Sequence, residues 1–157
     1  MKKIVSLLLC TVLLCGCAAA EQEVRLPNSR YVIDLPGDME YSAPEDTDTG
    51  VEAYFSRHLE MDLLYYPKEE MKKLGMADTL LETVQDRAAA GIDVELRDVN
   101  GIEMLVYWVK DEADGTPGIG YVFEDGEWMI EILFWYATQE AADQTVEIME
   151  SIRIQPS

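Results

Sequence analysis

Apolar and polar residues alternate with period two in three early stretches of the chain, a pattern that predicts strands. Tyr31-Val-Ile33-Asp-Leu35 stops at Pro36-Gly37, Val51-Glu-Ala53-Tyr-Phe55 follows, and Met61-Asp-Leu63-Leu-Tyr65-Tyr66 ends at Pro67. Together they suggest a meander of three antiparallel strands. The period then changes. Thr79-Leu-Leu-Glu82 has capping-box spacing, in which the hydroxyl and the carboxylate take up the first free amides of a helix. Leu80, Val84 and Ala88 recur every fourth residue, so one side is apolar, and Gly91 stands where such a helix ends. Pro67 to Leu74 adds a helical turn before it. Asn100-Gly101 and Asp125-Gly126 mark two hairpins, because both dipeptides suit turns that match strand twist. The first joins Ile92–Val99 to Ile102–Lys110, the second Ile119–Glu124 to Trp128–Tyr136. Thr138 to Ile152 is helical again, with Ala142, Val146, Met149 and Ile152 on one side.

Two hairpin strands carry the architectural clue. Ile102, Met104, Val106 and Trp108 occupy one face of their strand, while Leu105, Tyr107 and Val109 occupy the other. Likewise Ile130, Ile132, Phe134 and Tyr136 oppose Met129, Leu133 and Trp135. A strand apolar on both faces is covered on both faces. The expected fold is therefore α+β: an antiparallel sheet of six to seven strands with helices on both faces.

The amino terminus breaks from this pattern. Lys2 and Lys3 precede an uncharged apolar run, Ile4 to Leu14, which is the layout of a secretory signal. Leu14-Cys15-Gly16-Cys17 resembles the lipobox of bacterial lipoproteins. That resemblance implies cleavage after Gly16 and attachment of lipid to Cys17, with Cys15 an unusual residue at its position. Residue Ala18, not Asp, follows the cysteine, which by the family's sorting rule directs the protein to the outer membrane of a two-membrane cell. Two other readings fit the segment: Ala18-Ala19-Ala20 suits ordinary signal peptidase, and Ile4–Ala20 is a short membrane helix. The expected organisation is a signal over 1–16, a lipid-anchored tether over 17–27 and one folded domain over 28–157.

Two further stretches carry a resemblance. The Tyr31-Val-Ile-Asp-Leu-Pro36 opening, the closing Met149-Glu-Ser-Ile-Arg-Ile154 and the order strands, helix, hairpins, helix resemble the fold shared by Mog1 and the PsbP proteins of photosystem II. The resemblance spans about Ser29 to Ile154 and implies an α/β/α sandwich. Its relatives include bacterial lipoproteins and bind proteins, and no catalytic residues carry over to positions here.

Charge and composition narrow the function. The 157 residues have a net charge of −19, and loss of Lys2 and Lys3 with the signal takes the remainder to −21. Such a surface repels phosphate backbones, so nucleic acid is not an expected partner. Cys10, Cys15 and Cys17 are the only cysteines, so the domain has neither disulfide nor thiolate zinc site. His58 is the sole histidine, near a predicted turn, and no Gly-x-Ser-x-Gly elbow accompanies it. Asp46-x-Asp48-x-Gly50 and Asp111-Glu-Ala-Asp114-Gly115 superficially resemble calcium loops but lack the ligand spacing. Gly118-x-Gly120 leads into a strand and lacks the third glycine of a dinucleotide loop. No cofactor and no metal are expected.

Aromatics remain: Tyr107, Trp108, Trp128, Phe134, Trp135 and Tyr136. Packing in central strands accounts for most of them. Trp128, at a hairpin end where burial is harder, stands out as a candidate contact residue. The expectation is a non-enzymatic domain that binds a protein or stabilises a complex, held at the membrane by the lipid on Cys17. The alternatives are a small-molecule or calcium binding surface protein and, behind it, a wall hydrolase using two carboxylates.

Overall fold

The computed structural model describes residues 20–43 and 51–155, so Cys17 and the Asp46–Gly50 loop lie outside the described residues. Ten strands and three helices follow in chain order. They are β1 (Gln22–Arg25), β2 (Tyr31–Leu35), β3 (Glu40–Ser42), β4 (Val51–Phe55), β5 (Leu59–Pro67), α1 (Lys68–Lys73), α2 (Leu80–Ala89), β6 (Asp93–Val99), β7 (Ile102–Lys110), β8 (Pro117–Asp125), β9 (Trp128–Tyr136), α3 (Gln139–Glu150) and β10 (Arg153–Ile154). Seven strands form the main sheet, in the order β3-β4-β5-β9-β8-β7-β6, and every neighbouring pair is antiparallel.

The alternation in β7 and β9 divides the interior as the sequence requires. Met104, Val106, Ile130, Ile132 and Phe134 enter a large core, which α3 closes with Ala141, Ile148 and Met149. Leu105, Tyr107 and Met129 point the other way, into a smaller core beneath Met71 of α1 and Leu80 of α2. Helices thus cover both faces of an α+β sandwich.

The meander reading of the first three strands is corrected. β4 and β5 do pair, but β2 is not their neighbour; it lies between β1 and β10 in a separate three-stranded sheet. Ile33 and Leu35 of β2 belong to the large core, so this small sheet shares the covering of that face with α3. Alternation specifies that a strand has a buried side and says nothing about which strand it pairs with. The tether reading changes in the same place. Gln22–Arg25 is a strand, with Val24 and Leu26 buried in the large core. Outside it, Arg153 of β10 donates to both carboxylate oxygens of Asp34 (2.7 and 2.9 Å) and to Glu23 (2.6 Å), spanning all three strands.

Helix limits follow local signals, and helix faces follow them in part. Thr79 accepts from the Glu82 amide and the Glu82 carboxylate accepts from the Asp78 amide, so the cap forms close to the expected box. Thr79→Ala is expected to cost about 1 kcal/mol in chemical denaturation; an unchanged midpoint would show that the cap is redundant. Gly91, with φ of 80°, closes α2 as its amide donates to Ala88 and that of Ile92 donates to Arg87. Leu80 and Val84 of α2 face the smaller core as expected, joined by Thr83 and the half-buried Arg87, while Ala88 is exposed. In α3 Met149, and Ile152 just beyond it, are buried as expected, with Ala141, Thr145 and Ile148, while Val146 is at the surface.

The hairpin ends are similarly mixed. Asn100 and Gly101 both have positive φ, 53° and 81°, as a type I′ turn demands. In the second hairpin Asp125 pairs with Trp128, so the loop is Gly126-Glu127, one residue later than the sequence suggests. Asp125 is withdrawn into the ladder because its carboxylate accepts from the Ser29 hydroxyl (3.1 Å) and the Arg30 amide (2.8 Å).

Candidate functional site

Two places in the molecule concentrate chemistry. The first is under α2. Arg87 projects from the helix onto the sheet, its guanidinium carbon 3.8 Å from the centroid of the Tyr107 ring. It donates to Glu131 Oε1 (2.9 Å), and the Tyr107 hydroxyl donates to the same oxygen. Burial, and then the Glu131 charge, push the Tyr107 hydroxyl far above its ordinary range. Burial opposes the Arg87 charge, but Glu131 and Tyr107 outweigh it and hold the guanidinium protonated.

A glycine makes this stack possible. A Cβ on Gly120 of β8 would lie 2.0 Å from Cζ of Tyr107, so the ring lies flat across the strand where a side chain would stand. Gly118, two residues earlier, similarly accommodates Trp135, with 2.8 Å to Cε3. The Gly118-x-Gly120 pair therefore serves aromatic packing.

Beside the cluster opens a cavity of about 460 Å³, between the α1–α2 connection and the sheet. Met71, Met76 and Met129 line it with Tyr66, and Arg87 and Glu131 form its polar side. Gly75, with φ of 71°, turns the chain here, and the amide of Met76 donates back to Met71 (2.9 Å). The walls suit a small, mainly apolar molecule.

The second place is on the opposite face, where β3, β4 and β5 extend as a wing. None of the residues of β3 and β4 is fully buried, although they include Val51, Tyr54 and Phe55. Register places Tyr41 opposite Tyr54, with ring centroids 5.2 Å apart. Tyr65 meets Trp128 edge-on at 6.2 Å. Tyr54, Tyr65 and Trp128 all pack against the margin of the large core. Glu52 stands in the same row: it is two residues from Tyr54 on β4, and its partner Leu63 is two residues from Tyr65 on β5. Burial raises the Tyr54 and Tyr65 hydroxyls, and at both the next cause is the Glu52 charge.

Trp128, singled out in the sequence, is thus half-buried and forms one end of an aromatic row. The sequence did not point to Tyr41, Tyr54, Tyr65 or Glu52 as members, because they come from three strands whose pairing it left open. His58 is exposed in the β4–β5 turn, at a shallow hollow it shares with Glu60 and Trp135. The Asp111–Gly115 carboxylates are occupied with their own turn: Asp111 accepts from the Ala113 amide (2.7 Å) and Asp114 from the Thr116 amide (2.8 Å). Among the described residues no group of three or more His, Cys, Asp or Glu is placed to hold a metal ion.

Asp62, on the other side of β5, accepts from Trp135 Nε1 (3.2 Å). Burial raises its pKa, and this hydrogen bond offsets only part of the rise. A carboxylate with a higher pKa folded than unfolded costs stability when ionised, and the cost vanishes as pH falls through the folded value. Asp62→Asn, which keeps an acceptor for Trp135, is therefore expected to raise the melting midpoint at pH 7. The gain should fade once the wild-type carboxyl is protonated in both states. A lower midpoint for the variant at pH 7 would contradict this reading.

Comparison with known proteins bears on the fold. No family model matches the sequence, and no curated protein does. Among solved structures, a Bacteroides thetaiotaomicron VPI-5482 chain superimposes with a TM-score of 0.57 at 10% identity, over 82% of this chain and 46% of that one. This chain therefore spans less than half of that protein. The solution structure of cyanobacterial PsbP (CyanoP) from Synechocystis sp. PCC 6803 superimposes with a TM-score of 0.54 at 14% identity, covering 90% of this chain and 97% of that one. The fold is PsbP-like.

Proposed function

We propose that this protein is a lipid-anchored binding module of the bacterial envelope, acting without catalysis by docking a protein partner on the β3–β4–β5 wing. The anchor is a thioether-linked lipid on Cys17, on the extracytoplasmic side of the cell membrane or, in a two-membrane cell, on the outer membrane. The observation that carries the docking surface is the aromatic row from Trp128 and Tyr65 to Tyr54 and Tyr41, half-buried at one end and 52% exposed at Tyr41. Aromatic side chains set at the edge of a rigid core are typical anchors of protein interfaces, because ordering them on binding costs little.

A photo-reactive residue in place of Tyr54, introduced in the producing cell, should give a discrete adduct that Trp128→Ala weakens. The same residue at Gln85, on the solvent side of α2, should give none. Equal labelling from both positions would remove the wing as the docking surface. The anchor has its own test: Cys17→Ser should shift the protein from the membrane fraction to the soluble fraction, since one cysteine carries all of the attachment. Retention in the membrane would refute lipidation.

The methionine-lined cavity under α2 favours a second reading, a small-molecule binding protein. A thermal-shift screen of small apolar compounds, compared between wild type and Met129→Trp, decides it: ligands that stabilise only the wild type support this reading.

A further inference from the structure

We propose that Glu52, set between Tyr54 and Tyr65 in the aromatic row, receives a lysine or arginine side chain from a basic segment of the protein partner. This deepens the docking proposal and rests on it. The row combines the two features a cation needs: ring faces, whose quadrupoles attract positive charge, and a carboxylate among them. Register places Glu52 between Tyr54 and Tyr65, and its charge acts on both hydroxyls. The carboxyl is itself partly withdrawn from water, which raises its pKa. Among the described residues Glu52 enters no salt bridge, whereas Arg87, Arg97 and Arg153 are each matched to carboxylates elsewhere.

Charge selects the kind of occupant. A chain at −19 repels a second copy of itself, a nucleic acid and an anionic headgroup, and attracts a basic polypeptide. Arginine already stacks on aromatic rings within this protein, over Tyr107 and over Trp108 (5.9 Å), so the contact type is native to the fold.

The test uses the full chain in detergent micelles and NMR spectra that report the Trp128 indole N–H and the tyrosine rings. The probes are a Gly-Gly-Lys-Gly-Gly peptide, its arginine counterpart, its Nε-acetyl-lysine counterpart and tetramethylammonium. The lysine or arginine peptide should shift the Tyr54 and Tyr65 signals saturably, and the acetylated peptide should not. Glu52→Gln and Tyr54→Leu should each weaken binding about fivefold or more, while Tyr54→Phe, which keeps the ring, should stay within about twofold. Glu69→Gln, at an exposed carboxylate on α1, should change nothing.

The proposal falls if no charged peptide binds, if the acetylated peptide binds equally, or if Glu69→Gln weakens binding as much as Glu52→Gln. It also falls if tetramethylammonium binds more tightly than both peptides, which would make the occupant a small quaternary amine. A Tyr54 adduct in cells without any peptide response would sink the cation and leave the docking surface standing. A peptide response without an adduct would do the reverse.

Discussion

Replacing Gly120 by alanine is expected to destabilise the domain by about 3 kcal/mol, the upper end for overpacking a closed interior. The added Cβ would fall 2.0 Å from Cζ and 2.1 Å from Cε1 of Tyr107. That ring cannot swing aside freely, because Arg87 lies over it and its hydroxyl is tied to Glu131. Nor can the strand easily yield, since Gly120 is paired with Tyr107 on one side and Leu133 on the other. The decisive measurement is a double-mutant cycle. In a Tyr107→Ala background the same glycine substitution should cost far less, with a coupling of about 2 kcal/mol. Additive costs would mean that the clash is not the source.

Arg87→Ala should cost on the order of 3 kcal/mol, because it strands a carboxylate that the fold has taken out of water. The Glu131 side chain is 13% exposed and shares a single oxygen between Arg87 and Tyr107. Removing both charges together should be far milder: Arg87→Met with Glu131→Leu should recover most of the loss, since the apolar walls of the neighbouring cavity can pack against the new side chains. Urea denaturation of the wild type, the single variant and the double variant settles the point. A double variant less stable than the single one would show that the ion pair contributes through its mutual attraction.

Both predictions concern residues whose roles are decided by distant partners, and these are the roles the sequence concealed. The faces of β7 and β9 were legible because alternation is a property of one strand. So were the Thr79 cap, the Gly91 stop and the Asn100-Gly101 turn, each set by neighbours within a few residues. On α2 the sequence shows Leu80 and Val84 on the buried side but not Arg87, which, polar in composition, is half-buried against Glu131 on a strand 44 residues away. β1 was hidden for a similar reason. Gln22-Glu-Val-Arg25 has one buried residue of its own, and it becomes a strand through β2 and the core beneath. The wing was half legible: Trp128 could be singled out by its place at a hairpin end, but not the tyrosines that continue the row. Their grouping depends on β3 pairing with β4, and β3 is only three residues long.

The placement of β2 governs when the molecule can be finished. Its neighbours are the first and last strands described, and Arg153 binds Asp34 across a separation of 119 residues. A polypeptide made amino end first cannot complete this sheet until β10 has been synthesised, and such non-local closure is slow. Until β10 arrives one edge of β2 stays open, and its unpaired amides and carbonyls are exposed to pairing with other strands.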